Sequence, residues 1–245
     1  MLESSSKIGR LYGIGLGPGD PELVTVKASR LLGSVSWVFA PKADEALGSI
    51  AKGIALSHVA PTTKLVELVY PMSRDVAVLE RHWGAAATTI GEVLRQGDDA
   101  AFITLGDPML YSTCAYLVRA LRRSMPEVDI EIVPGVTSFC ASAALTGFVL
   151  GEKDSKLLVA PAPDSAVELE RLTRQGGRLV LMKVGSRLPQ LVNWLRALGL
   201  LERSRLVSRA GLAGQRIFSD LNDCEELEQL GYLSTLLVDL DGRER

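Results

Sequence analysis

Leu11-Tyr-Gly-Ile-Gly-Leu-Gly-Pro-Gly-Asp-Pro-Glu-Leu-Val-Thr-Val-Lys-Ala28 sets a strand, a glycine-packed loop and a helix start in immediate succession. Gly13, Gly15, Gly17 and Gly19, with Pro18 and Pro21, leave little side-chain bulk where the strand gives out. Such a loop lets a ligand approach the backbone closely and supplies the positive φ that a tight exit needs. Asp20 reads as an N-cap, Pro21 as the first helical residue, and Glu22 complements the helix dipole. The dinucleotide fingerprint G-x-G-x-x-G is absent, because from Gly13 and Gly15 its last position falls on Pro18. There is no G-x-x-x-x-G-K-[ST] either. The loop reads either as built for a small molecule that is neither a dinucleotide nor a P-loop nucleotide, or as an ordinary glycine-rich strand-to-helix turn without a ligand.

Outward from this loop, β-rich apolar runs alternate with helical patterns. In the first half, Arg10–Ile14, Val35–Ala40, Lys64–Val69, Ala100–Leu105 and Ile130–Val133 read as strands. Pro21–Leu32, about Asp75–Arg95 and Ser112–Arg123 read as helices; Leu79, Trp83, Ala86, Ile90 and Val93 follow the spacing of one helix face. In the second half the spacing predicts helices at Ser138–Thr146 and Arg187–Leu198. Strands are expected at Leu157–Ala160, Arg178–Val184, Arg205–Ala210, Gln215–Asp220 and Ser234–Asp239. The alternation implies an α/β protein of two αβα domains, 1–135 with a mostly parallel sheet and 136–245 with a mixed one. Ligands of open α/β sheets lie outside the carboxyl ends of the strands. The segments there are Gly15–Asp20, Pro41-Lys42, Tyr70–Arg74, Gly106–Thr113 and Pro134–Ser138.

Composition narrows the class. A 245-residue chain with 47% hydrophobic and 23% charged residues can build a core without staples. A net charge of −2 and no long basic run argue against nucleic acid as partner. Cys114, Cys140 and Cys224, with only His58 and His82, give neither a zinc pattern nor a disulfide framework, so no metal is expected. No apolar run reaches the length of a membrane span, and 1–8 lacks an apolar signal region, so the expected location is the cytoplasm.

Three motifs then carry a resemblance. G-x-G-P-G-D-P-x-L-x-T-x-K-A at Gly15–Ala28, L-G-D-P-x-x-Y-S at Leu105–Ser112 and V-P-G-V-T-S at Val133–Ser138 are similar to those of the tetrapyrrole methylases. Phe39-Ala-Pro-Lys42, Tyr111-Ser-Thr-Cys-Ala-Tyr116 and Leu179-Val-Leu-Met-Lys-Val-Gly185 most resemble the branch that methylates C20 of precorrin-2. Where the sirohaem branch continues its G-D-P loop with F-G-R-G, this chain has Tyr111-Ser-Thr.

The resemblance implies a homodimer that binds S-adenosylmethionine between its domains, largely through backbone groups, and releases S-adenosylhomocysteine. Carried over by motif, the cofactor residues are Pro18, Leu105, Gly106, Asp107, Leu110, Thr137, Ser138, Val184 and Ala210. The implied substrate is a tetrapyrrole rimmed with carboxylates, which calls for local cations. Lys42 and Arg74 are read as substrate-binding, and Lys183 as a group for proton handling. Each of these three is equally readable as solvated surface. Asp107 is read either as a catalytic group near the reacting carbon or as a loop cap. Tyr111 and Tyr116 are read as stacking on the macrocycle or as core, Trp83 as core. The alternatives are another corrin methylase, such as a C11 enzyme, and a non-catalytic module binding a nucleoside-like effector. A sensor of that kind needs no cations for carboxylates.

Overall fold

The structure is a computed structural model, described here for residues 7–43, 48–73, 75–222, 230, 231 and 233–242. It divides into two compact units, Met1–Thr137 and Ser138–Arg245.

The first unit holds β1 (Leu11–Gly15), α1 (Val26–Leu32), β2 (Trp37–Lys42), α2 (Ile50–Ala55), β3 (Lys64–Val69), α3 (Val76–Arg95), β4 (Ala100–Thr104), α4 (Cys114–Ser124) and β5 (Ile130–Val133). Its sheet has the order β3-β2-β4-β1-β5, and every pairing in it is parallel. Parallel strands are buried on both faces and therefore read as continuous apolar runs. Ala100–Thr104 is buried throughout. Leu11, Phe39, Ala100 and Phe102 pack with Ala86, Ile90 and Leu94 of α3 and Leu117 and Leu121 of α4. On the alternate parity Val38, Ala40, Ala101 and Ile103 are also buried, with α2 against β2 and β4. Pro41 is tolerated in β2 because it lies past the three residues, Trp37–Phe39, that pair with β4.

The stretch expected as one helix, Pro21–Leu32, is two. Asp20 accepts the Glu22 N–H at 2.9 Å and starts a single 3-10 turn, Pro21–Leu23, which Val24 ends in an extended conformation. Thr25 then starts α1 afresh by accepting the Ala28 N–H at 3.2 Å. A β-branched run with a threonine able to cap favours this break over a continuous helix. The short helix α2, which contains Gly53, carries too few turns for periodicity to announce it.

The second unit holds α5 (Ser138–Thr146), β6 (Leu157–Pro161), α6 (Ala166–Thr173), β7 (Arg178–Met182), α7 (Leu188–Ala197), β8 (Ser204–Ser208), β9 (Arg216–Phe218) and β10 (Ser234–Asp239). The order is β6-β7-β10-β8-β9; β6 and β7 are parallel, and the other pairings antiparallel. The sheet is thus mixed, around a β10 buried along its whole length. Leu179, Leu181, Leu236 and Val238 pack with Leu188, Leu191 and Leu195 of α7. At one end of the sheet a buried ion pair joins neighbouring strands: Arg178 donates to Asp239 Oδ1 at 2.6 Å, and both residues are almost fully buried. Arg178 Nε also donates to the Val149 carbonyl at 3.1 Å. Asp239 Oδ1 accepts the N–H groups of Asp241 and Gly242.

Three strands end two residues earlier than expected, β9 at Phe218 among them. β7 stops at Met182 because Lys183 adopts φ 55°, and β8 stops at Ser208 because Arg209 does the same. The helix α6 was not expected.

Candidate functional site

In the first unit, the order β4-β1-β5 sets three loops side by side, because β1 lies between β4 and β5. Gly17 and Gly106 form an antiparallel bridge: the Gly106 N–H donates to Gly17 O at 2.7 Å, and the Gly17 N–H to Gly106 O at 3.3 Å. A Cβ on Gly15 would lie 2.6 Å from Gly106 O and 2.7 Å from Gly135 N. A Cβ on Gly135 would lie 2.2 Å from Gly106 O. This corrects one expectation. Gly15 and Gly135 owe their lack of a side chain to the neighbouring loop backbones, so space for a ligand does not explain them. Gly106 is different: it takes φ +71°, and a Cβ there would meet nothing within 4 Å. The backbone is open to an incoming group at that point, which fits a cofactor held largely by main-chain atoms.

Asp107 fastens two of these loops. Its Oδ1 accepts the Met109 N–H at 2.8 Å, within its own loop, and its Oδ2 accepts the Gly135 N–H at 3.1 Å. Each carboxylate oxygen thus has a backbone donor, as in a loop cap. Behind it, Thr104 Oγ1 and Ser112 Oγ lie 3.0 Å apart, and Ser112 Oγ accepts the Cys114 N–H at 3.1 Å. Burial, and secondarily the Asp107 charge, pushes the Cys114 thiol up to about 12, so it carries no thiolate chemistry at neutral pH.

Around this edge the expected residues divide. Pro18 is buried in its loop, while Leu105, Leu110 and Thr137 are half-buried. Tyr111 is exposed and held at φ 50°, a conformation costly for a non-glycine residue. Lys42 ends β2 close enough to Glu67 to act on it electrostatically. The Glu67 carboxyl is held below its usual range chiefly by the Ser49 N–H, with Lys52 and Lys42 adding to that. Arg74 lies outside the described residues. Tyr116 proves to be neither core nor an open stacking face: its ring stacks on Trp83 at 4.3 Å between centroids. Trp83 in turn is only half-buried.

His58 was not singled out for this loop, and it matters. Its Nε2 lies 3.1 Å from the Pro21 carbonyl and its Nδ1 3.0 Å from Ser29 Oγ. Facing a carbonyl, Nε2 is the donor, so His58 ties the 3-10 turn to α1.

In the second unit, the remaining residues gather on one sheet edge. β7 and β8 both run antiparallel to β10, so their carboxyl ends meet its amino end. Lys183, Arg209 and Leu233 all adopt positive φ there, at 55°, 55° and 57°. Strained non-glycine residues concentrated at one edge are characteristic of binding sites. Lys183 directly precedes Val184, and Arg209 directly precedes Ala210. The side chains of Val184 and Ala210 are buried, so what these residues offer a ligand is backbone. Ser138, the first residue of α5, comes to the same edge, where its Oγ accepts from Thr235 Oγ1 at 3.4 Å. Lys183 is exposed. Arg216 is exposed too, with its guanidinium 5.1 Å from the Phe218 ring of its own strand.

Known proteins of similar sequence and fold point to one family. The family model of tetrapyrrole (corrin/porphyrin) methylases matches residues 10–224. A cobalt-precorrin-2 C(20)-methyltransferase of Salmonella typhimurium is 36% identical over 94% of this chain and 96% of its own. A precorrin-2 C(20)-methyltransferase of Sinorhizobium is 30% identical over 94% of this chain and 95% of its own. Among solved structures, a uroporphyrin-III C-methyltransferase of Thermus thermophilus complexed with S-adenosylhomocysteine superposes with a TM-score of 0.62 at 25% identity, over 94% of this chain and 97% of that one. With the family model spanning most of its length, this chain belongs to the tetrapyrrole (corrin/porphyrin) methylases.

Proposed function

We propose that the protein transfers the methyl group of S-adenosylmethionine to C20 of precorrin-2, or of its cobalt-bearing counterpart, during construction of the corrin ring of cobalamin. The observation that carries this reading is the 36% identity with the Salmonella C20 enzyme over nearly the whole of both chains. The Tyr111-Ser-Thr loop, in place of F-G-R-G, supports it against uroporphyrinogen as substrate.

S-adenosylmethionine, when bound, supplies an electrophilic methyl on a sulfonium. The chain's part is alignment and exclusion of water, since an in-line displacement needs little else. In this reading Gly106 lends its open backbone to the cofactor, with Pro18, Leu105, Leu110, Thr137 and Ser138 lining it and Val184 and Ala210 adding backbone contacts. Asp107 holds two of the loops in register. The C20 carbon is electron-rich through conjugation with the ring nitrogens and attacks the methyl carbon. The proton it carried then leaves readily, because its loss restores conjugation, so no strong base is required. Lys183 is assigned to that proton and to charge balance, Lys42 and Arg74 to substrate carboxylates, and Tyr111 to the macrocycle.

The working form in this reading is a cytoplasmic homodimer without nucleic acid. Among the described residues no helix is long and apolar enough to cross a membrane. Anaerobic incubation with precorrin-2 and methyl-labelled S-adenosylmethionine tests the activity. One labelled methyl gained per S-adenosylhomocysteine formed supports it. Cofactor binding without transfer to either the metal-free or the cobalt-bearing substrate refutes it and favours the effector-binding alternative.

A further inference from the structure

Arg119 is a cation of the first unit that the family reading does not use, and its surroundings are unusual. It lies on α4, exposed, with its guanidinium 4.7 Å from the centroid of the Tyr116 ring. The other face of that ring is taken by Trp83, stacked at 4.3 Å and within 10° of parallel. The result is three layers, indole, phenol and guanidinium, contributed by α3 and α4. Arg119 Nε also donates to the Ala115 carbonyl at 3.3 Å, which folds the side chain back toward the start of α4. Helical side chains lean in that direction, and here it brings the charge back toward the loop Gly106–Thr113.

Arg119 differs from the paired cations of the same unit. Arg10 is paired with Asp129 and Glu131, Lys27 with Glu131, and Lys52 with Glu67. Among the described residues no acid pairs with Arg119. Nor does the helix favour a cation leaning on its amino-terminal turn, where the macrodipole is positive; Arg122 and Arg123 occupy the favourable last turn. An arginine held on the Tyr116 ring, with no acid paired to it among the described residues, leaves its terminal N–H groups for a partner from outside. The loops after β3 and β4 expose Met72, Met109 and Tyr111, apolar side chains suited to a flat conjugated ring.

We propose that Arg119, held on the Trp83–Tyr116 stack, binds a peripheral carboxylate of the tetrapyrrole substrate and helps set its orientation. This rests on the methylase reading given above. Guanidinium suits the role because its planar fork can pair with a carboxylate through two N–H groups while its face remains on the phenol ring.

The test uses the full chain with Arg119→Gln and Arg119→Lys, assayed for methyl transfer to precorrin-2, with cofactor affinity by calorimetry and thermal melting as controls. Arg119→Gln is expected to raise the KM for the tetrapyrrole about tenfold while kcat stays within about twofold. Cofactor affinity and melting temperature should not change. Arg119→Lys should recover part of the loss, and the KM of the Gln variant should respond less steeply to salt than that of the parent. A Gln variant with the parent's KM and salt response overturns the assignment while the parent's turnover leaves the methylase reading intact. A parent that transfers nothing to precorrin-2 or its cobalt form overturns both.

Discussion

The Asp107 carboxylate accepts the Gly135 N–H at 3.1 Å and so joins the loop after β4 to the loop after β5. Its second oxygen closes its own loop on the Met109 N–H at 2.8 Å. An aspartate engaged in this way controls the shape of the edge before it controls any proton.

That role predicts how the site responds to substitution. Asp107→Ala should weaken S-adenosylmethionine binding by about tenfold or more and cost ~1–3 kcal/mol of stability, since two backbone donors lose their acceptor. Asp107→Asn keeps one acceptor and should fall between. Calorimetric titration with the cofactor checks this. A catalytic base would behave otherwise, with cofactor affinity retained in the Asn variant and kcat nearly abolished.

The glycines of the edge should not be equivalent. Gly135→Ala drives a methyl group against the Gly106 and Gly15 backbones, at 2.2 Å from Gly106 O and 2.9 Å from Gly15 Cα. Backbone cannot move aside as a flexible side chain does, so the variant should lose cofactor binding and melt well below the parent. Gly106→Ala has room in the free protein and costs the fold only its left-handed conformation, about 1–2 kcal/mol, while its new methyl takes the space assigned to the cofactor. Melting curves of the two variants side by side give the order directly.

How much of this the sequence disclosed depends on the kind of residue involved. Glycine and proline announced the loops at Gly15–Asp20 and Gly106–Thr113, because such loops need both residue types. That Gly15, Gly106 and Gly135 touch one another depends on strand order, which places β1 between β4 and β5, and no local pattern encodes it. The second unit hid its edge more thoroughly. Lys183 and Arg209 fall inside stretches that read as strands, yet both turn left-handed and end them. The Trp83–Tyr116–Arg119 stack joins two helices, and periodicity marked Trp83 only as a face residue.

Buried groups without charge partners should make the protein sensitive to alkali. The Cys114 thiol is raised from 9.0 to about 12, and burial also raises the Tyr70 hydroxyl above its ordinary value. For such groups the stabilising contribution is complete below the unfolded value and is lost as pH rises through the folded one. Stability should therefore decline from about pH 9 upward, more gently in Cys114→Ala and Tyr70→Phe. The Tyr70 hydroxyl is buried and has no hydrogen-bond partner among the described residues, so Tyr70→Phe should be neutral or slightly stabilising at pH 7. Urea titrations at pH 7 and at higher pH check both points.

The Arg178–Asp239 pair predicts an asymmetric cost. Arg178→Met removes a buried cation from beside the Asp239 carboxylate and should cost about 3–5 kcal/mol. Replacing both residues with apolar side chains should recover much of that loss. Equilibrium unfolding of the single and double variants measures the difference.

The position of the new methyl group tests the central claim most directly. Carbon-13 NMR of the product, formed without oxygen from precorrin-2 and methyl-labelled S-adenosylmethionine, should show a single enriched methyl bonded to C20. A label at C11 or any other ring position, or an unlabelled tetrapyrrole recovered with cofactor still bound to the protein, would contradict it.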